Sequence, residues 1–202
     1  MQSSHTCDPN VTESPFMASR MVHMESWVHE TAMMGRKVHY SDGEIIESDE
    51  VSRIVGELRG WADPFALSSW VEAEAEALSY GAVMEGAFNQ NGESDPRILL
   101  CVLAYSYAIG IFSSEEIVRS SRTRDAFKAL SGGKFLIRQE LKWFRCRNRP
   151  LLTELVARVF VRAICEWYSL GRTDVAPYIN THLRRLAIER LDIARHLDSI
   201  DE

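Results

Sequence analysis

Between residues 119 and 162 the chain carries 12 lysines and arginines against three carboxylates, Asp125, Glu140 and Glu154, a local balance of +9. Arg119, Arg122, Arg124 and Lys128 open this stretch, and Lys142, Arg145, Arg147 and Arg149 surround Trp143-Phe144. A guanidinium fork suits phosphate oxygens and guanine edges, whereas an interleaved aromatic either anchors a core or stacks. Such a density of cations, with so few carboxylates to neutralise it, points to phosphate contact. The plain alternative for the arginines is a solvated helix face, and for Trp143 and Phe144 core anchoring is the preferred reading.

Other chemistry is hard to find. There is no Gly-rich phosphate loop, no G-x-S-x-G and no H-E-x-x-H. The six histidines (His5, His23, His29, His39, His182 and His196) are scattered, and His5 with Cys7 supplies too few ligands for a metal. Glu72, Glu74 and Glu76 stand two apart on a presumed helix, fan out around it and are expected to form a solvated acidic face. The expectation is a protein without catalytic residues, metal site or cofactor.

The elements that position the basic stretch lie in a chain of 202 residues, 46% hydrophobic, which is enough to bury a core. The net charge of −6 hides an asymmetry: residues 1–96 hold 5 basic and 17 acidic side chains (−12), residues 97–202 hold 18 and 12 (+6). A basic half beside an acidic one directs attention to nucleic acid on the basic side. No run of about 18 apolar residues is present, so no membrane span is expected. The N-terminus, with His5, Cys7 and Asp8, lacks the pattern of a secretory signal. Cys7, Cys101, Cys146 and Cys165 show no C-x-x-C spacing, which fits reduced thiols in a cytoplasmic protein, with Cys101 and Cys165 as small core residues.

The expected fold class is mainly α, a multi-helix bundle with a helix-turn-helix-like corner and a small β-hairpin near 37–46, where two β-prone runs flank Ser41-Asp42-Gly43. Residues 1–47 read as a loosely ordered acidic arm, 1–24 without any period and 25–36 as a short helix. Residues 48–171 read as the helical domain and 172–202 as a C-terminal connector helix. Val51, Ile54, Val55 and Leu58 follow the i, i+3, i+4, i+7 rule. Asp63-Pro64 and Asp95-Pro96 each place an N-cap before a proline suited to the first turn, the former opening a helix over 65–88, with a break at 89–94. Ile98 to Ile109 is nearly all apolar and predicts a helix buried on most sides, ended by Gly110. Ser113 with Glu116 predicts a capping box for a short helix to Ser121. Further helices are expected from Thr123 or Asp125 to Gly132-Gly133, from Ile137 to Arg147, from Pro150 to Leu170 with Gly171 as its stop, and from Val175 to Ile200.

The helix–Gly110–turn–helix at 97–121 has the outline of a helix-turn-helix, in which the N-terminus of the second helix approaches a phosphate or groove. Over Asp95 to Leu170 the residues also carry a family pattern. It runs through Asp95-Pro96-Arg97-Ile98-Leu99-Leu100, then Tyr105-Ser106-Tyr107-Ala108-Ile109-Gly110-Ile111-Phe112-Ser113-Ser114-Glu115-Glu116-Ile117. Phe127-Lys128-Ala129-Leu130-Ser131-Gly132-Gly133 and Phe144-Arg145-Cys146-Arg147-Asn148 follow. In order and spacing, over about 75 residues, this resembles the N-terminal domain of InsH-like insertion-sequence transposases. Ile188 to Asp198 is similar to the connector helix of that family. The chain departs from the family at Lys134 to Glu140, where relatives carry a proline-aspartate-histidine helix start.

The resemblance implies DNA binding, with transposon ends as the target, and no catalytic domain with its carboxylate triad within these residues. Arg97, Ser113, Ser114, Arg119, Arg122, Arg124 and Lys128 are expected on the DNA side, with Lys142, Arg145, Arg147 and Arg149 as a second basic cluster. Two alternatives stand beside this reading. A separately encoded catalytic chain completes a transposase, or the chain is an interaction module. For the latter, Ile179, Leu183, Leu186, Leu191, Ala194 and Leu197 make an apolar stripe that either pairs in a homodimer or docks onto its own domain, docking being preferred.

Overall fold

Apolar periodicity and proline-capped helix starts dictate the architecture. The computed structural model describes residues 46–78 and 94–200. The predicted arm, the 25–36 helix, the hairpin residues 37–45 and the helical continuation over 79–88 lie outside the described residues. Among the described residues the fold is mainly α, with nine α-helices and no strand.

Helix α1 spans Ser48–Gly56, α2 Leu58–Trp61 and α3 Pro64–Ala77. Helix α4 spans Pro96–Ala108, α5 Ser114–Thr123, α6 Asp125–Ser131 and α7 Arg138–Arg147. Helix α8 spans Arg149–Tyr168 and, after a 3-10 turn at Arg172–Asp174, α9 spans Pro177–Ile200. Both predicted Asp-Pro caps form. Asp63 Oδ1 accepts from the amides of Phe65 and Ala66, and Asp95 Oδ1 from the amide of Arg97 at 2.8 Å. Each carboxylate satisfies donors that the first turn leaves without partners.

The apolar run over 98–109 becomes the centre of the bundle. Every α4 residue from Leu99 to Ala108 is buried, because α3, α6, α7, α8 and α9 all pack against this one helix. Gly132 and Gly133 end α6 at φ +58° and +74°, with the Gly133 amide donating to the Lys128 carbonyl at 3.0 Å. An L side chain at either position would be strained, hence the paired glycines. The end of α8 departs from expectation: the left-handed residue is Ser169 at φ +56°, two positions before Gly171.

Helix α9 does not stand away as a connector. Ile179, Leu183, Leu191 and Ala194 are buried within the chain, on a helix packed mainly against α8 and also against α4. Leu186 and Leu197 of the same stripe stay half-buried. Most of the apolar surface proposed for pairing is therefore consumed by docking. Polar bonds reinforce it along the helix. Ser52 Oγ and His182 Nε2 lie 2.8 Å apart. The Arg190 guanidinium donates to the carbonyls of Ala108 at 2.7 Å, of Val55 at 2.9 Å, and of Tyr107. These carbonyls belong to the last turns of α4 and α1, where a cation is favoured; among them the Tyr107 carbonyl also accepts the Gly110 amide at 3.3 Å. No helix among the described residues is long and apolar enough to cross a membrane.

Candidate nucleic-acid interface

The basic stretch divides in the structure into side chains turned inward and side chains left at the surface. Arg145 is 4% exposed and Ser114 is fully buried. Arg145 reaches across from α7 to ion-pair with Asp198 of α9. It also donates to the Ala194 carbonyl at 2.9 Å and to Ser114 Oγ at 3.1 Å. Ser114 Oγ in turn donates to Asp198 Oδ1 at 3.0 Å, and Lys142 Nζ to the Asp198 carbonyl at 2.9 Å. The guanidinium carbon lies 5.4 Å from the centre of the Tyr107 ring. Burial pushes the Tyr107 phenol above its usual range, and the Arg145 charge opposes that shift. Ser114 and Arg145 thus belong to an internal polar cluster joining α5, α7 and α9. They are corrected from a DNA-facing position to an interior one, because Asp198, 53 residues beyond Arg145, supplies the counter-charge.

The N-terminus of α5 also differs from a groove-reading helix end. Ser113 occupies the N-cap position, but its side chain makes no capping hydrogen bond, so the predicted capping box does not form. Glu115 and Glu116 occupy the first turn, where their charge complements the helix dipole and repels a phosphate. Cations gather instead at the far end of the helix. Arg119 and Arg122 are exposed, and Arg124 sits half-buried at the extended residue joining α5 to α6. The Arg122 guanidinium lies 5.8 Å from the centre of the Phe135 ring, which is 78% exposed. Lys134, beside Phe135, is exposed too. Among the described residues none of Arg119, Arg122, Arg124 and Lys134 makes an ion pair.

The remaining candidates are engaged in different ways. Lys128 pairs with Asp125 at 2.9 Å, Arg149 with Asp192 at 2.7 Å and Arg97 with Glu76 at 3.7 Å. Arg147 is exposed and lies 4.6 Å from the centre of the half-buried Trp143 ring, while Phe144 is in the core as expected. Lys134 is among the 12 cations of the basic stretch but was not singled out, and Phe135 carries no charge to count. The signal was present in the departure at Lys134-Phe135-Leu136-Ile137, where two large apolar residues, Phe135 and Ile137, stay exposed around the buried Leu136.

The acidic face is corrected in part. Glu72 is exposed, and Glu76 meets Arg97. Glu74 is 2% exposed and ion-paired with Arg172, with Oε2 lacking any hydrogen-bond partner. Among the described residues no group of three or more His, Cys, Asp or Glu side chains is arranged to hold a metal ion. Cys101 and Cys165 are buried as expected, and burial raises the Cys101 thiol to about 12. Compared with protein-family models, with curated proteins and with solved structures, the chain finds no match.

Proposed function

We propose that the chain is a DNA-binding module whose phosphate-facing surface is the end of α5 and the loop after α6. Arg119, Arg122, Arg124 and Lys134 supply the charge, and Phe135 supplies an exposed ring beside it. One observation carries this reading: these cations have no carboxylate partner among the described residues, while Arg149, Arg158, Arg162, Arg184 and Arg185 are all tied to acidic side chains. Unpaired cations remain available to replace counterions on a phosphate backbone. The resemblance to transposase N-terminal domains agrees with this reading and suggests transposon ends as the target.

Fluorescence anisotropy with a labelled duplex tests the proposal. With four phosphate contacts, log K should fall with log salt at a slope of about −3.6 between roughly 50 and 200 mM. Arg119→Ala and Arg122→Ala should each reduce that slope by about one. Absence of binding at low ionic strength, or affinity unchanged in an Arg119→Ala/Arg122→Ala protein, sinks the proposal.

A second reading, self-association through α9, rests on Ile188, Ile193 and Ile200, which are 40%, 45% and 65% exposed on the docked helix. A dimer in sedimentation velocity that Ile193→Asp abolishes, in a protein that ignores DNA, would favour it.

A further inference from the structure

Three stretches of the chain, 59–67, 105–109 and 124–126, converge on a cleft of about 330 Å³ that the duplex surface does not explain. Its apolar walls include Leu67 of α3, Tyr105 of α4 and Ile109 just beyond it. Phe65, at the start of α3, stands at the rim and is 55% exposed. Arg59 of α2 and Arg124, between α5 and α6, bring two guanidinium groups to the same cleft.

The charges around it are unbalanced. Neither Arg59 nor Arg124 makes an ion pair among the described residues. Two carboxylates share the region: Asp125 lines the cleft itself and pairs with Lys128 at 2.9 Å, and Asp63 accepts the Phe65 and Ala66 amides. Tyr105 packs edge-on against Phe127, the ring centres 5.0 Å apart. Arg59, Arg124 and Asp63 all act electrostatically on its phenol.

A concave apolar surface bounded by two unpaired cations is complementary to an anion that carries a flat apolar body. The volume is at the lower end of small-molecule sites, near the size of a single nucleotide. We propose that this cleft receives one unpaired nucleotide of a DNA strand, its phosphate between Arg59 and Arg124 and its base against the exposed Phe65 ring. Stacking is tolerant of base identity, because every base has an aromatic face. The proposal rests on the DNA-binding reading and deepens it: the exposed arginines hold the duplex, and the cleft takes a base that has left the stack.

The test compares the full chain's affinity for a blunt duplex with that for the same duplex bearing a short 5′ overhang of thymidines. Arg124 serves both surfaces, so the discriminating variants are Arg59→Gln and Phe65→Ser, both at exposed positions. The overhang duplex should bind roughly tenfold more tightly. Each variant should remove that preference and leave blunt-duplex affinity unchanged, with thermal unfolding confirming an intact fold. Equal affinity for the two duplexes, with blunt binding intact, overturns the cleft proposal and leaves the DNA-binding reading standing. If neither duplex binds, the DNA-binding reading falls and the strand assignment with it. Titration with thymidine monophosphate distinguishes the source. Saturable binding that both variants abolish, without any overhang preference, overturns the strand assignment in favour of a free nucleotide.

Discussion

Replacing Arg145 by alanine separates an interior role from a DNA-facing one. In the folded chain this guanidinium neutralises Asp198 and bonds to Ser114 Oγ and the Ala194 carbonyl, at a position 4% exposed. Arg145→Ala leaves the Asp198 carboxylate buried without its counter-charge. Breaking a buried pair from one side costs about 3–5 kcal/mol. For a folded unit of this size each kcal/mol lowers Tm by about 2–4 °C, so a fall of roughly 6–20 °C is expected. Arg147→Ala is the internal control. Its exposed contact with Trp143 is worth no more than about 1 kcal/mol. Replacing both partners, as Arg145→Met with Asp198→Leu, should recover most of the loss, because desolvating two charges offsets much of their attraction. Urea denaturation of the four proteins, with matched m-values, measures these differences. The reasoning is refuted if Arg145→Ala and Arg147→Ala are equally mild, since a surface arginine would behave that way.

Three further outcomes follow. Arg190→Met removes the guanidinium that lies 4.8 Å from the Phe160 ring centre and deprives the helix-end carbonyls of Val55 and Ala108 of their donor, while the Tyr107 carbonyl keeps the Gly110 amide. Destabilisation by about 3 kcal/mol is expected, and wild-type stability in urea would show that the carbonyl bonds contribute nothing. Arg172→Ala should cost about 1–3 kcal/mol by stranding the Glu74 carboxylate, and adding Glu74→Gln should restore much of it; equal stability of single and double variants contradicts this. Stability should also decline in alkali. Burial raises the Cys101 thiol from 9.0 to about 12, and raises Cys165, Tyr105 and Tyr107 as well, so the folded chain holds these protons more tightly than the unfolded one. Their contribution is intact below about pH 9 and is lost as pH rises toward 12. Arg190, lowered by burial to about 10, opposes this loss from about pH 10 upward. Tm should fall from pH 9 upward and fall less in Cys101→Ala; a flat Tm would contradict the assignment.

Local signals were legible in the sequence where neighbours in the chain determine the outcome. Asp63-Pro64, Asp95-Pro96 and Gly132-Gly133 act within one turn of themselves, and the apolar run of α4 specifies burial whatever surrounds it. Partners far along the chain were not legible. Arg145 reads as a surface cation until α9 brings Asp198 to it, and Glu74 reads as one of a solvated row until Arg172 arrives. Ser113 and Glu116 have capping-box spacing, yet the cap hydrogen bond is not made. Charge counting located the basic stretch but gave no means of telling which cations are consumed internally. Folding sorts them by the availability of a counter-charge.

The bonds along α9 have a consequence for how that helix finds its place. Its buried residues Ile179, Leu183, Ala187 and Leu191 recur every four positions, so the apolar stripe nearly repeats itself after a slip of about one turn, some 5.4 Å. Packing alone would distinguish such alignments only weakly. His182, Arg190 and Asp198 remove the degeneracy, because each meets a partner at one height along the bundle: Ser52, the ends of α1 and α4, and Arg145. A slipped helix would bury Arg145 without a counter-charge and withdraw Arg190 from three carbonyls at once. The polar contacts act as a vernier on the hydrophobic seam, selecting one alignment where the seam itself admits several.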